Sequence, residues 1–151
     1  MMKLILAAIV PRRARKSEKI EDLISEYVDR CRPYVSCTTQ VFASEADLLN
    51  GIDRKPGRIA PYAIFLDSRG HQLSSEEFAG RIGRLRDEGN QQVVLAVGPP
   101  DGWSPTALQR CNLLLSLGRI TLPHQLARLV VAEQVYRAFT ILSGHPYHSG
   151  H

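Results

Sequence analysis

The stretch Leu113-Leu-Leu-Ser-Leu117, followed by Gly118-Arg-Ile-Thr-Leu122, predicts an apolar strand that runs into a tight loop and then into a long helix beginning at Pro123. The same succession occurs just upstream. There, an apolar strand over 93–97 runs into the loop Gly98-Pro-Pro-Asp-Gly-Trp-Ser-Pro105. In open α/β sheets, ligands bind in the crevice beyond the carboxyl ends of the strands. We therefore expect the ligand site of this protein to lie at these two loops.

The helix predicted from Pro123 to about residue 142 has an unusual start. No Ser, Thr, Asp or Asn stands directly at its cap, so its first N–H groups need partners from other backbone, water or a ligand. Glu133 and Arg137 are four residues apart in the acid-first order and are interpreted as an ordinary surface ion pair. Apolar residues cover much of the remaining surface. One side is expected to face a sheet and another a second copy of the chain.

Strand and helix patterns alternate through the rest of the chain. The strands are continuous apolar runs typical of buried parallel sheets, and most helices begin at a serine followed by acidic residues. This pattern predicts a single three-layer α/β domain over residues 1–151 with a mainly parallel sheet of five or six strands. The predicted strands are 3–10, 35–42 near an edge, 62–66, 93–97 and 113–117. The helices start at Ser17, Ser44, Ser74, Ser104 and Pro123, with a stop at Gly51 and a turn over 67–70.

The composition is that of a globular protein with a modest basic excess. The 151 residues carry a net charge of +4, which favours an anionic partner such as RNA without establishing one. Three widely spaced cysteines with no C-x-x-C indicate reduced thiols in a cytoplasmic protein. The apolar run over 4–10 is too short to span a bilayer, so no membrane association is expected.

A cluster of four cations follows the first strand, at Arg12, Arg13, Arg15 and Lys16. A solvated loop between strand and helix is the simpler interpretation. Contact with RNA phosphates is favoured only if another argument brings RNA to this loop. Both interpretations stand at this point.

The C-terminal third resembles the RlmH family of ribosomal RNA methyltransferases, small members of the SPOUT class. The resemblance is carried by Leu-Pro-His-Gln-x-x-Arg at 122–128, by Glu133-Gln-x-Tyr-Arg-Ala138 and by His145-Pro-Tyr-His148. Val97-Gly98 with Asp101-Gly102, and Leu73-Ser-Ser-Glu76, also stand where the family has them. The similarity is dense over 94–148 and thin but collinear before it.

Similarity to this family implies a trefoil knot in the C-terminal half and S-adenosylmethionine as cofactor. It also implies a homodimer packed through the terminal helices, in which the neighbouring subunit completes each active site. The implied reaction is methyl transfer to N3 of a pseudouridine in large-subunit rRNA, on the assembled ribosome. No metal is implied, and His145, His148 and His151 lie in a segment that is neither helical nor cysteine-bearing. The cofactor contacts carried over by position are Leu66, Gly98, Leu117, Gly118, Arg119, Ile120, Thr121 and Leu122.

Three residues are hypothesised to act in the chemistry that the resemblance implies. Tyr147 and His148 would position the acceptor base or remove its proton, and Arg128 would favour the developing negative charge. Two departures from the family stand out: Pro99-Pro100 removes a backbone donor from the first loop, and Ser149 replaces a basic residue. Two other interpretations remain open: a catalytically silent RNA- or ribosome-binding protein, and a small-molecule-binding α/β domain with no RNA partner.

Overall fold

The computed structural model describes residues 2–53 and 55–149, which form five strands and five helices in alternation. His151 lies outside the described residues. The strands are β1 (Lys3–Ile9), β2 (Ser36–Phe42), β3 (Tyr62–Gln72), β4 (Gln92–Val97) and β5 (Leu113–Ser116). The helices are α1 (Glu18–Cys31), α2 (Glu45–Ile52), α3 (Ser75–Asp87), α4 (Pro105–Arg110) and α5 (His124–Ser143).

The sheet is parallel throughout, with the strand order β2-β1-β4-β3-β5. One apolar core lies between the sheet and α1, α3 and α5, and a second lies between the sheet and α2 and α4. The predicted three-layer α/β fold is therefore confirmed, as is the edge position of β2. Because β4 is central, its side chains from Val93 to Ala96 are almost completely buried, at 0–1% exposure.

Serine caps begin four of the five helices at the predicted residues. The hydroxyl groups of Ser17, Ser44, Ser74 and Ser104 each accept a bond from the N–H three residues on, and Ser74 forms a full capping box with Glu77. Helix α5 follows Pro123 and has no side-chain cap. Its first N–H groups thus have no cap hydrogen bond from a side chain, as the sequence predicted.

Two element boundaries were predicted wrongly. The residues 67–70 do not turn off the end of a strand, because β3 continues through an irregularity to Gln72 and pairs a second time with β5, His71 with Leu115. Helix α2 does not stop at Gly51 but runs to Ile52, whose side chain is buried against the second core. In both cases a long-range contact overrides the local signal.

Four other expectations concern the cysteines, membrane-spanning helices, metal sites and the trefoil knot. Cys31, Cys37 and Cys111 are free thiols, as predicted. Within the described residues, no helix is both long and apolar enough to cross a membrane, and no three His, Cys, Asp or Glu side chains are grouped to hold a metal ion. The trefoil knot stays a prediction.

Candidate active site

A cavity of about 460 Å³ lies at the carboxyl edge of the sheet, beyond the ends of β4 and β5 and beside Leu66, Asp67 and Ser68 in the middle of β3. Parallel pairing brings these three segments together, although they are far apart in sequence. All the residues predicted to contact a cofactor line this cavity: Leu66, Gly98, Leu117, Gly118, Arg119, Ile120, Thr121 and Leu122. Small-molecule sites typically enclose about 300–1,000 Å³, so the cavity has the size of a cofactor site.

Trp103 fixes the first loop against the middle of β3. Its indole N–H donates to the carbonyl of Leu66 at 2.8 Å, and its ring stacks on Phe65 at a centroid distance of 4.1 Å. Gly98 lies beneath the same ring, because a Cβ there would stand 2.6 Å from Trp103 Cε2. The sequence did not single out Trp103, and its one available signal was an aromatic side chain in a loop that otherwise has none.

The prolines of the first loop form part of a closed turn. The Gly102 N–H donates to the carbonyl of Pro99 at 2.9 Å, and both Pro99 and Pro100 line the cavity. Although proline has no N–H to offer a cofactor, the turn is complete and the cavity remains open beside it. Pro99 and Pro100, where this chain departs from the family's sequence, therefore make the cavity wall more rigid and leave the cavity open.

The second loop is held at its start by Ser116. The Ser116 hydroxyl accepts from the Gly118 N–H at 3.1 Å and donates to the Gly118 carbonyl at 3.0 Å. Gly118 has φ +118°, a value that side chains rarely tolerate. Beyond it, Ile120 is 75% exposed at the mouth of the cavity. The loop therefore turns sharply at the glycine and presents Ile120 toward solvent.

His124, in the first turn of α5, forms part of the wall of the cavity. Burial lowers the pKa of this imidazole, and the Arg128 guanidinium lowers it further, while the Gly98 and Ile9 carbonyl groups oppose the shift. Its Nε2 is buried without a hydrogen-bond partner among the described residues. The ring is therefore neutral at neutral pH, and it adds no positive charge to the wall of the cavity.

Arg128 lies one turn further along α5, and its side chain does not line this cavity. Its side chain is 7% exposed and pairs with Glu21 of α1, with Nη1 and Oε1 2.5 Å apart. It borders a small cavity beside Leu6 and Thr39 rather than the large one. The structure thus joins Arg128 to α1 and not to the other two residues hypothesised to be catalytic.

The C-terminal tail folds back over α5 and the start of α3. His148 Nε2 lies 2.5 Å from Glu76 Oε1, and its Nδ1 lies 2.9 Å from Arg137 Nη1. Tyr147 packs edge-on against Tyr136 at 4.8 Å, with the Arg137 guanidinium over its ring. Arg137 in turn pairs with Glu133 at 2.8 Å. The Glu133–Arg137 pair was expected at the surface, but only 17% and 14% of these side chains is exposed because the tail covers them.

The protonation states in the tail follow from these contacts. The hydrogen bond from His148 lowers the pKa of Glu76, so this carboxylate is ionised at neutral pH. Burial raises the pKa of Tyr147, which keeps the phenol protonated. Arg137 has only donors, so Nδ1 of His148 must accept and Nε2–H must donate to Glu76. Tyr147 is therefore a hydrogen-bond donor, and the lone pair of His148 lies on Nδ1.

Comparison with known proteins identifies the family. A family model described as "Predicted SPOUT methyltransferase" matches residues 2–148. The chain belongs to the SPOUT methyltransferase family. It is 47% identical over 136 residues to the ribosomal RNA large subunit methyltransferase H of Koribacter versatilis, covering 90% of this chain and 92% of that one. The resemblance to the RlmH family is thereby confirmed.

Solved structures share the fold of this SPOUT methyltransferase at low sequence identity. A probable methylase family protein from Haemophilus influenzae matches with a TM-score of 0.57 and 9% identity, over 97% of this chain and 70% of that one. The SpoU methyltransferase AviRb from Streptomyces viridochromogenes, in complex with AdoMet, matches with a TM-score of 0.51 and 12% identity, over 90% of this chain and 57% of that one. These similarities establish the shared architecture.

The predicted site residues of this SPOUT methyltransferase fall into three places. The eight residues assigned to the cofactor share one cavity, Tyr147 and His148 lie together in the tail that packs against α5, and Arg128 is paired with Glu21 of α1. Glu76, Trp103 and His124 were not predicted as site residues. Only contacts between distant parts of the chain bring them to these positions.

Proposed function

We propose that this chain transfers a methyl group from S-adenosylmethionine to N3 of a pseudouridine in large-subunit ribosomal RNA. The observation that carries the proposal is the single cavity in which all eight residues implied to bind the cofactor meet. Membership of the SPOUT family, and 47% identity to a protein named as a large-subunit rRNA methyltransferase, support the same activity.

The residues around the cavity fit S-adenosylmethionine. Leu66, Leu117 and Leu122 offer apolar contacts for an adenine ring, and the uncapped start of α5 offers N–H groups to a carboxylate. The neutral imidazole of His124 puts no like charge beside a sulfonium. When bound, this cofactor supplies an activated methyl group, so the protein has to orient the acceptor and exclude water.

The acceptor nitrogen must lose a proton as the new N–CH₃ bond forms. We assign this proton to Nδ1 of His148, whose lone pair faces Arg137 in the structure. The Glu76 carboxylate accepts from Nε2–H and holds the imidazole in the tautomer that leaves Nδ1 free to accept. The acceptor has to displace Arg137 from Nδ1, and that guanidinium then lies beside the base as it becomes anionic.

We assign recognition of the ribosome to a surface that is continuous with the cavity. The exposed cations Arg12, Arg13 and Arg15 follow β1, and so lie at the same edge of the sheet as the cavity. RNA phosphates are the natural partners of such a cluster. The chain is also proposed to be cytoplasmic, in keeping with its three free thiols. It is proposed to form a homodimer, because Leu23 on α1 and Leu126 on α5 leave apolar surface exposed on two packed helices.

Labelled methyl transfer to ribosomes that lack the modification tests the proposal, followed by mass analysis of the nucleosides. The expected product is a pseudouridine methylated at N3, formed only when S-adenosylmethionine is present. Calorimetry with S-adenosylmethionine alone is expected to show saturable binding. Binding of ribosomes without any methyl transfer would instead favour the silent RNA-binding protein.

A further inference from the structure

The end of the first loop is held by a glutamate that does not line the cavity proposed to bind the cofactor. Glu45, the first residue of α2, accepts from the Ser104 N–H at 2.8 Å and from the Ser104 hydroxyl at 2.6 Å. The two residues are 59 positions apart in the chain. We propose that Glu45 is a positioning residue, whose carboxylate keeps the first loop in the conformation that binds S-adenosylmethionine. This inference rests on the proposed function.

The sheet order brings Glu45 to this loop. Strands β2 and β4 lie on either side of β1, and α2 and α4, which follow them, pack on the same face of the sheet. Because the strands are parallel, both helices begin at the carboxyl edge. The sequence accounts for Glu45 only as an acid that suits the start of a helix. The contact with Ser104 is separate from the α1–α5 face on which the dimer is proposed.

The Ser104 hydroxyl is fixed by two hydrogen bonds of opposite sense. It donates to Glu45 and, as the cap of α4, accepts from the Ala107 N–H at 3.2 Å. The two distances from Ser104 to Glu45 are typical of hydrogen bonds to a carboxylate, which are stronger than those between neutral groups. The loop therefore enters α4 at a position that Glu45 determines.

Two neighbouring residues hold the end of the first loop in two directions. Trp103 binds the Leu66 carbonyl in β3, and Ser104 binds Glu45 in α2. The preceding residues from 98 to 100 form part of the cavity wall. Without Glu45, one of these two anchors is lost and the wall is free to move away from the cavity. The cofactor then binds only the fraction of molecules in which the loop is closed, so its affinity falls.

The opposite ends of the same two helices are joined by a different contact. Arg110 of α4 donates through Nη2 to the Ile52 carbonyl at 2.7 Å, and its Nε lies 3.3 Å from Asp53 Oδ1. This contact also holds α4 to α2, but it does not touch the first loop. Substitution of Arg110 therefore separates a general loosening of the two helices from the specific effect of Glu45.

The variant Glu45→Ala removes both hydrogen bonds to Ser104. If the loop is then closed in about one tenth of the molecules, the Kd for S-adenosylmethionine measured by calorimetry rises about tenfold. We expect the KM for the cofactor to rise by the same factor and kcat at saturating cofactor to stay within about twofold of wild type, because bound cofactor holds the loop closed. In Glu45→Gln the amide oxygen still accepts one bond, and the Kd should rise about threefold.

The fluorescence of Trp103 reports the position of the loop directly. It is the single tryptophan of the sequence, and it is 5% exposed beside Ser104. In Glu45→Ala, acrylamide should quench this fluorescence more strongly than in the wild type, and the emission should shift to longer wavelength. Saturating S-adenosylmethionine should reverse both changes, because it selects the closed loop.

Two variants serve as controls. Asp47→Ala removes an exposed acid from the same first turn of α2, and Arg110→Met releases the opposite ends of the two helices. Both should keep the wild-type Kd and the wild-type emission, although Arg110→Met should unfold at a lower urea concentration. If Glu45→Ala does not fold, the same measurements on Glu45→Gln decide the proposal.

A wild-type Kd in the Glu45 variants, or an equal rise of Kd in either control, would overturn the positioning role. If the wild-type protein binds no S-adenosylmethionine, the proposed function fails and this inference fails with it. A wild-type protein that binds cofactor but methylates no ribosome contradicts the proposed function alone. The Kd and the emission of Glu45→Ala then still decide whether Glu45 positions the loop.

Discussion

Two glycines shape the candidate active site at the scale of single residues. Gly98 allows the Trp103 ring to lie directly on the first loop, and Gly118 allows the second loop to turn at φ +118° beside the cavity. Neither role is visible in the sequence, where both are simply glycines after apolar strands. The resemblance to the RlmH family pointed to both positions, but only the structure shows that Trp103 is the reason for Gly98.

Gly98→Ala should destabilise the protein by about 1–3 kcal/mol, because the new Cβ must displace the Trp103 ring and its bond to Leu66. Urea unfolding measures the loss, and calorimetry should show weaker binding of S-adenosylmethionine. Gly80→Ala is the control, since Gly80 lies in α3 with open space around it and alanine there favours the helix. Equal stability in the two variants would refute the role assigned to the Trp103 contact.

Glu76→Gln should lower kcat about 10- to 100-fold, because an amide no longer holds His148 as a carboxylate does. Glu88→Gln, at the other end of the same helix, is the matched control. An unchanged pH–rate profile for Glu76→Gln would contradict the pairing with His148. Wild-type kcat would also remove Glu76 from the mechanism.

The Glu76–His148 contact also predicts how the tail responds to acid. The pKa of Glu76 is lowered below its usual value of 4.5 in the folded protein. The contact therefore stabilises the fold above that value, and the stabilisation is lost as the pH falls through the lower, folded pKa. Release of the tail, followed by the NMR resonances of Tyr147, should therefore have a step below pH 4.5 that the variant Glu76→Gln lacks. The same step in Glu76→Gln would contradict this.

At the scale of elements, local sequence signals predicted the starts of helices better than the ends of strands. A serine cap acts on N–H groups three residues away, so Ser74 and Ser104 are sufficient to place α3 and α4. The length of β3 instead depends on its second pairing with β5, more than 40 residues downstream. Burial of the Glu133–Arg137 pair likewise depends on the tail that folds over it, which no helical spacing could predict.

The ion pair between Glu21 of α1 and Arg128 of α5 predicts a structural role for Arg128. Glu21→Gln leaves this nearly buried guanidinium without its counter-charge, and we expect a loss of about 1–3 kcal/mol of stability, since Glu21 is itself partly exposed. Glu26→Gln on the same helix breaks an exposed pair with Arg30 and should cost well under ~1 kcal/mol. Thermal unfolding separates the two. Wild-type stability with lost methylation in Glu21→Gln would restore the catalytic role hypothesised for Arg128.

At the scale of the whole molecule, the parallel sheet collects the groups proposed to act in methyl transfer at one edge. The basic loop follows the carboxyl end of β1, and the cavity proposed to bind the cofactor lies beyond the carboxyl ends of β4 and β5. The tail reaches the same region from the far end of α5, because Gly144 reverses the chain and His148 binds the start of α3. This domain can therefore present the proposed phosphate contacts and the proposed chemistry at one edge of its sheet.

The proposed dimer predicts the effect of a charge on the exposed face of α5. Leu126 is 39% exposed on a helix that also packs against α1, where Leu23 is 43% exposed. Burying an aspartate in an apolar interface is costly, so Leu126→Asp should shift the protein to a monomer in sedimentation velocity at micromolar concentration. Ile59→Asp changes an equally apolar but 83% exposed loop residue and should leave the dimer intact. If the Leu126→Asp protein remains a dimer, the interface lies on another face; if the wild-type protein is a monomer, the proposed dimer is wrong.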